Sequence, residues 1–148
     1  MSDGLPDALA SRLGYLLKHA QQRLVQAAGP VMAEFGIDGR ELAVLTVLAA
    51  QAPLSQHEAA RQLGVDRTTM VTLIDALEAK GLVERHRSPL DRRKNIVALT
   101  PVGQDCLRGA GKARDEVESE FLAPLGDALS RQFIRALQIL ASQRNETQ

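Results

Sequence analysis

The 148 residues carry 18 Lys and Arg against 18 Asp and Glu, 45% apolar side chains, 3% aromatic ones, one Cys and no Trp. That is enough chain to bury one core and too apolar for wholesale disorder, while a single cysteine excludes a disulfide framework and every multi-cysteine zinc module. The scarcity of aromatics argues against holding single-stranded nucleic acid by base stacking; with no long apolar run and no signal-peptide pattern in residues 1–12, a cytoplasmic protein without a membrane partner is expected.

In chain order, Leu5, Leu9, Leu13, Leu16, Leu17, Ala20, Leu24, Ala27 and Val31 recur in steps of three and four. This predicts a long amphipathic helix over 5–35, with Pro6 in its first turn, a kink at Pro30 and a stop at Gly36. Asp38-Gly39-Arg40-Glu41 has the D-x-x-E form of a capping box and opens a second helix with Leu42, Leu45 and Leu48, broken at Pro53-Leu54. Ser55-Gln56-His57-Glu58 is another such box. It opens a short third helix, residues 56–63, stopped by Gly64; Asp66 then caps a fourth, running to Lys80 and ending at Gly81.

Two helices joined by Gly64-Val65-Asp66 have helix-turn-helix spacing. In the second of them Met70, Leu73, Ile74 and Leu77 form the core stripe. The opposite side shows Arg67, Thr68, Thr69 and Thr72, short donors and one cation on a face the core does not need. Residues 82–87 then read as a strand, 88–95 as a long polar turn and 96–99 as the return strand, so a hairpin wing follows the helix-turn-helix. Thr100-Pro101 begins a fifth helix with Leu107, Ala110, Ala113, Val117 and Phe121 on one side. Pro124-Leu125-Gly126 breaks it, and Leu129, Phe133, Leu137 and Leu140 mark a sixth, to about Arg144.

The expected fold is mainly α with a small β-hairpin wing. A winged helix-turn-helix, residues 38–99, is flanked by an N-terminal dimerisation helix, 1–37, and C-terminal dimerisation helices, 100–148. The flanking helices carry more apolar surface than one chain can cover, and a two-fold homodimer is the economical cover.

Charge is unevenly placed. Arg85, Arg87, Arg92, Arg93 and Lys94 face only Asp91 across the hairpin tip, which marks it as a phosphate or minor-groove contact. His19, His57 and His86 have no metal-ligand spacing, and no nucleophile–base pair, glycine-rich phosphate loop or metal motif is present. No enzyme activity, metal or cofactor is expected. The alternative is a winged-helix protein-interaction module without DNA binding; the polar start of the fourth helix and the basic tip speak against it, since a protein interface exposes apolar anchors.

The run Gly81-Leu82-Val83-Glu84-Arg85, then Asp91-Arg92-Arg93, then Leu99-Thr100-Pro101-Val102-Gly103 resembles the MarR family of bacterial winged-helix regulators in its G-L-[VI]-x-R, D-x-R and L-T-x-x-G elements. The resemblance implies a homodimer bound to an imperfect double-stranded DNA palindrome, usually as a repressor, and released by a small phenolic or carboxylate effector or by thiol oxidation. By position, Arg67, Thr68, Thr69 and Thr72 enter the major groove. Arg93 enters the minor groove with Asp91 bracing it, beside Arg92 and Lys94. Ser55, Gln56, His57 and Arg87 are candidate phosphate contacts, and Tyr15, His19 and Arg85 candidate effector-cleft residues. Relatives with cations at the positions of Thr72 and Ala76 have a more basic recognition helix, so here the wing is expected to supply more of the salt-dependent affinity. Family members that sense peroxide carry a cysteine near the start of the first helix; this chain has only Cys106, expected to be a small buried hydrophobe.

Overall fold

The computed structural model describes residues 6–51 and 53–142. Leu5, at the head of the expected first stripe, and Arg144, at the expected end of the sixth helix, lie outside them. The order is α1 (Leu13–Ala33), α2 (Gly39–Ala50), β1 (Leu54–Ser55), α3 (Gln56–Leu63), α4 (Arg67–Ala79), β2 (Val83–Arg87), β3 (Asn95–Leu99), α5 (Pro101–Leu122), a 3-10 turn (Ala123–Leu125) and α6 (Gly126–Ser142).

Local chemistry sets most of these boundaries. Asp38 accepts from the Glu41 N–H at 2.9 Å while Glu41 accepts from the Asp38 N–H, and Ser55 and Glu58 form the same reciprocal box on α3. Gly64 closes α3 at φ 64°, a left-handed turn that favours glycine, and α4 follows after Val65 and Asp66.

Two expectations are corrected. The first helix starts at Leu13 rather than residue 5: residues 6–12 form i→i+3 turns, Leu9 N–H to Pro6 O at 2.8 Å and Arg12 N–H to Leu9 O at 3.0 Å. Their side chains are exposed, so no core repays a longer helix, and Arg12 offers no capping side chain. Helix α1 does continue through Pro30. The sheet has three strands, order β1-β3-β2 and wholly antiparallel, because Leu54 and Ser55 pair with Val97 and Ile96. A two-residue strand has no periodicity to read, and Ser55 doubles as the α3 cap.

One core joins all the elements up to α5. Leu45, Leu48, Met70, Ile74, Leu77, Val83 and Val97 are buried together, with Met32 from α1 and Ala110 from α5. Four hydrogen bonds knit the base of the wing to the end of α4 and the first turn of α5. Thr100 N–H donates to Leu82 O at 3.0 Å, Thr100 Oγ1 to Gly81 O at 2.6 Å, Gly103 N–H to Thr100 Oγ1 at 3.0 Å, and Leu82 N–H to Leu77 O at 3.0 Å. Gly103 lets the α5 backbone lie directly against the Leu82 carbonyl. Nothing on α6 is buried among its described residues.

Candidate nucleic-acid interface

Helix α4 presents its first turns outward. Asp66 caps it, accepting from the Thr69 N–H at 2.7 Å and the Thr69 hydroxyl at 3.0 Å, and those bonds hold the Asp66 carboxyl below its ordinary pKa. The Thr72 hydroxyl donates to Thr68 O at 3.1 Å. Thr69 and Thr72 therefore spend their hydroxyl protons within the helix and keep their oxygen lone pairs as acceptors. Arg67 and Thr68 are exposed beside them. Hydroxyl acceptors thus stand beside the Arg67 guanidinium, which can only donate.

The wing tip is a built turn. Ser88 N–H donates to Lys94 O at 2.9 Å, Lys94 N–H to Asp91 O at 3.0 Å, and the Ser88 hydroxyl accepts from the N–H groups of Leu90 and Asp91. Asp91 accepts from the Arg93 N–H at 3.0 Å. Asp91 thus braces Arg93 through its backbone, and among the described residues the guanidinium of Arg93 makes no ion pair, nor do Arg67, Arg87, Arg92 and Lys94. Unpaired exposed cations keep their full attraction for phosphate.

A groove of about 410 Å³ runs between the starts of α3 and α4 and the wing. Ser55, Gln56, His57, Arg67, Arg93 and Lys94 all line it, so residues chosen from three separate stretches of sequence converge. Arg87, Arg92 and Asp91 stay exposed outside that lining, Arg87 opposite Asn95 at the end of the β-ladder. Arg61 also lines the groove and was missed; its i+4 spacing from His57 on α3 was the available signal.

The three effector candidates separate. Tyr15 and His19 pack against each other on α1, ring centroids 4.1 Å apart and planes tilted by 42°. Arg85 is held elsewhere, by Asp75 at 2.6 Å and Glu78 at 2.8 Å on α4 and by Gln56 at 3.4 Å on α3, and so braces the wing strand against the helix-turn-helix. Arg85 lines neither cleft beside α1 and α5. One, with His19, Arg23, Glu120 and Phe121, lies along these two helices. The other, about 250 Å³, lies between α1, α2 and α5 and is walled by Leu24, Val25, Met32, Leu42 and Val117, with Arg114 and Glu118 as its charged groups. Cys106 is half-buried rather than buried, its Sγ 3.8 Å from Phe35 O. Burial first, then the charge of Glu41, pushes its thiol pKa up, partly offset by Lys80. No group of three or more metal-ligating side chains occurs among the described residues, and no described helix is long and apolar enough to cross a membrane.

A polar recognition helix, a cationic wing and a groove between them define a winged helix-turn-helix protein that binds double-stranded DNA. A MarR-family model matches residues 35–94. Over 141 residues, 95% of this chain, the sequence is 33% identical to a protein named for regulation of the hcr operon in Thauera aromatica, with 85% of that protein covered. The chain belongs to the MarR family of transcriptional regulators, which are not enzymes. Among solved structures, the transcriptional repressor CouR bound to a 23-mer DNA duplex is 34% identical with a TM-score of 0.87, over 93% of this chain and 99% of that one. CouR from Rhodococcus jostii RHA1 bound to p-coumaroyl-CoA is 27% identical with a TM-score of 0.83, over 96% of this chain and 100% of that one.

Proposed function

We propose that this chain is a cytoplasmic, homodimeric repressor that reads a palindromic operator and is released by a small aromatic carboxylate or phenolic effector. The observation that carries the DNA reading is the groove in which Ser55, Gln56, His57, Arg67, Arg93 and Lys94 converge. Thr68, Thr69 and Thr72 meet base edges in the major groove. Arg93 enters the minor groove, where negative potential is concentrated, and Arg87, Arg92 and Lys94 meet phosphates around it.

Residues 38–99 form the DNA-binding part, with 1–37 and 100–148 as dimerisation segments. Leu13, Leu17, Val25, Leu129, Ile134, Ile139 and Leu140 are exposed on α1 and α6, more apolar surface than a monomer keeps in water. A second copy covers it and sets two recognition helices about one helical turn, ~10 bp, apart.

The effector fits the cleft between α1, α2 and α5. Its walls are apolar, and Arg114, which pairs with Asp115 at 3.3 Å and Glu118 at 4.0 Å, is the cation a carboxylate takes from them. A ligand there touches both the dimerisation helices and α2 of the DNA-binding part. Selection of bound sequences from random duplex DNA, with light scattering on the same protein, tests the reading. A palindrome with half-sites about one turn apart and a dimer mass are expected; a monomer at micromolar concentration or no enriched sequence would overturn it.

A further inference from the structure

We propose that Leu90 is a specificity-determining contact of the wing: it packs against the floor and walls of the minor groove and favours A·T over G·C pairs there. The proposal rests on the DNA-binding reading above.

Leu90 is 96% exposed, more than any other large apolar side chain among the described residues. An isolated surface leucine is ordinary. This one sits at the summit of a hairpin whose neighbours are Arg92, Arg93 and Lys94, and the turn beneath it is built to hold it out. The Ser88 hydroxyl accepts the Leu90 N–H at 3.3 Å and the Asp91 N–H at 3.4 Å, Asp91 locks the Arg93 N–H, and Ser88 and Lys94 close the hairpin. Pro89 fixes the backbone on the other side. Those bonds fix the backbone from which the exposed side chain projects.

The minor groove offers a complementary surface. Its walls are deoxyribose C–H groups, and the floor beneath an A·T pair carries an adenine C–H where a G·C pair carries the guanine amino group. A leucine on that floor gains dispersion and desolvation over A·T. Over G·C it would strip water from an amino donor and return no acceptor. Arg93, four atoms of chain from the backbone and in the same groove, supplies the charge; Leu90 supplies the shape filter.

The test uses the full chain, wild type and Leu90→Ser, on the duplex recovered by random selection. In further duplexes the A·T pairs protected by the wing are replaced by G·C or by inosine·cytosine, which has the major-groove face of G·C without the minor-groove amino group. Wild type should bind the A·T and inosine·cytosine duplexes alike and the G·C duplex more weakly. Leu90→Ser should lose roughly five- to twentyfold on the A·T duplex, from partial burial of one leucine side chain, and should discriminate less against G·C. Its salt dependence should match wild type, because no cation is removed. The exposed position makes the unfolding midpoint a control that should not move. Equal affinities for the two proteins, or a loss of affinity with discrimination intact, overturns the proposal while leaving the DNA reading standing. A wild type that enriches no duplex overturns both.

Discussion

Replacing Gly103 by Ala tests the junction between wing and α5 directly. A Cβ at this position would stand 2.9 Å from the Leu82 carbonyl carbon and closer still to its oxygen, with a Leu99 methyl at 3.2 Å. Backbone cannot swing aside like a side-chain tip, so α5 must retreat from the wing. That retreat strains the Thr100 N–H to Leu82 O bond, the Thr100 hydroxyl to Gly81 O bond and the Thr100 cap on Gly103. At about 1 kcal/mol for each of the three weakened bonds, plus overpacking of about 1–3 kcal/mol and less about 1 kcal/mol of helix-propensity gain for Ala, the net cost is roughly 3–5 kcal/mol. For a chain of this size that lowers the thermal midpoint by about 5–15 °C. The assay is thermal unfolding at fixed protein concentration, since the midpoint of the proposed dimer moves with concentration. Gly39→Ala, at an exposed site where an added Cβ meets nothing, is the control and should stay within a few tenths of a kcal/mol. A Gly103→Ala midpoint within a degree or two of wild type would refute the close approach.

Other outcomes follow from the same geometry. Arg93→Ala should weaken specific DNA binding by roughly 1–3 kcal/mol and reduce the salt slope by about one; identical isotherms at two salt concentrations would remove the wing from the mechanism. Cys106→Ser should leave DNA binding and its response to peroxide unchanged, because a thiol with a raised pKa carries little thiolate at neutral pH; a lost peroxide response would reverse that reading. Lys80→Met should destabilise by about 1–3 kcal/mol, as it strips the 2.6 Å partner from buried Glu41 while the Asp38 N–H contact remains, and denaturant unfolding reads it. The folded-state pKa of Asp66 is depressed, so its cap contributes above the unfolded value and fades as pH falls below about 4 and through the folded one. The stability gap between wild type and Asp66→Asn should therefore narrow in acid; a gap constant from neutral pH to pH 2 would contradict it.

The elements that could be read from sequence are those settled within four residues. Asp38 with Glu41, Ser55 with Glu58 and Asp66 with Thr69 are caps whose partners lie three positions on, and each helix begins where its cap stands. Arg93 and Lys94 could be assigned to the groove because a hairpin tip is displayed by construction. Partnerships across the chain could not be read. Arg85 looks, in sequence, like any free cation near the wing; its acids lie on α4, and its glutamine on α3 meets it only after folding. Arg114 enters a cleft only because α5 lies along α1 and α2. The start of α1 was misjudged for a different reason: the stripe of leucines continues through Leu9, but among the described residues nothing waits there to be covered.

The knot of Gly81, Leu82, Thr100 and Gly103 has a mechanical consequence. Both strands of the hairpin leave from residues bonded to the first turn of α5, and Arg85 braces β2 on α4, so the wing moves as one rod with the α4–α5 junction rather than flexing alone. Five-residue strands at ~3.3 Å per residue place their far ends about 16 Å from that junction, with the turn beyond. A rigid 10° rotation of α5 would therefore carry those ends about 3 Å, roughly the length of a hydrogen bond. Displacements too small to disturb the packing beside α5 are multiplied on the way to Arg93, so the wing serves as the pointer of a lever whose short arm is α5.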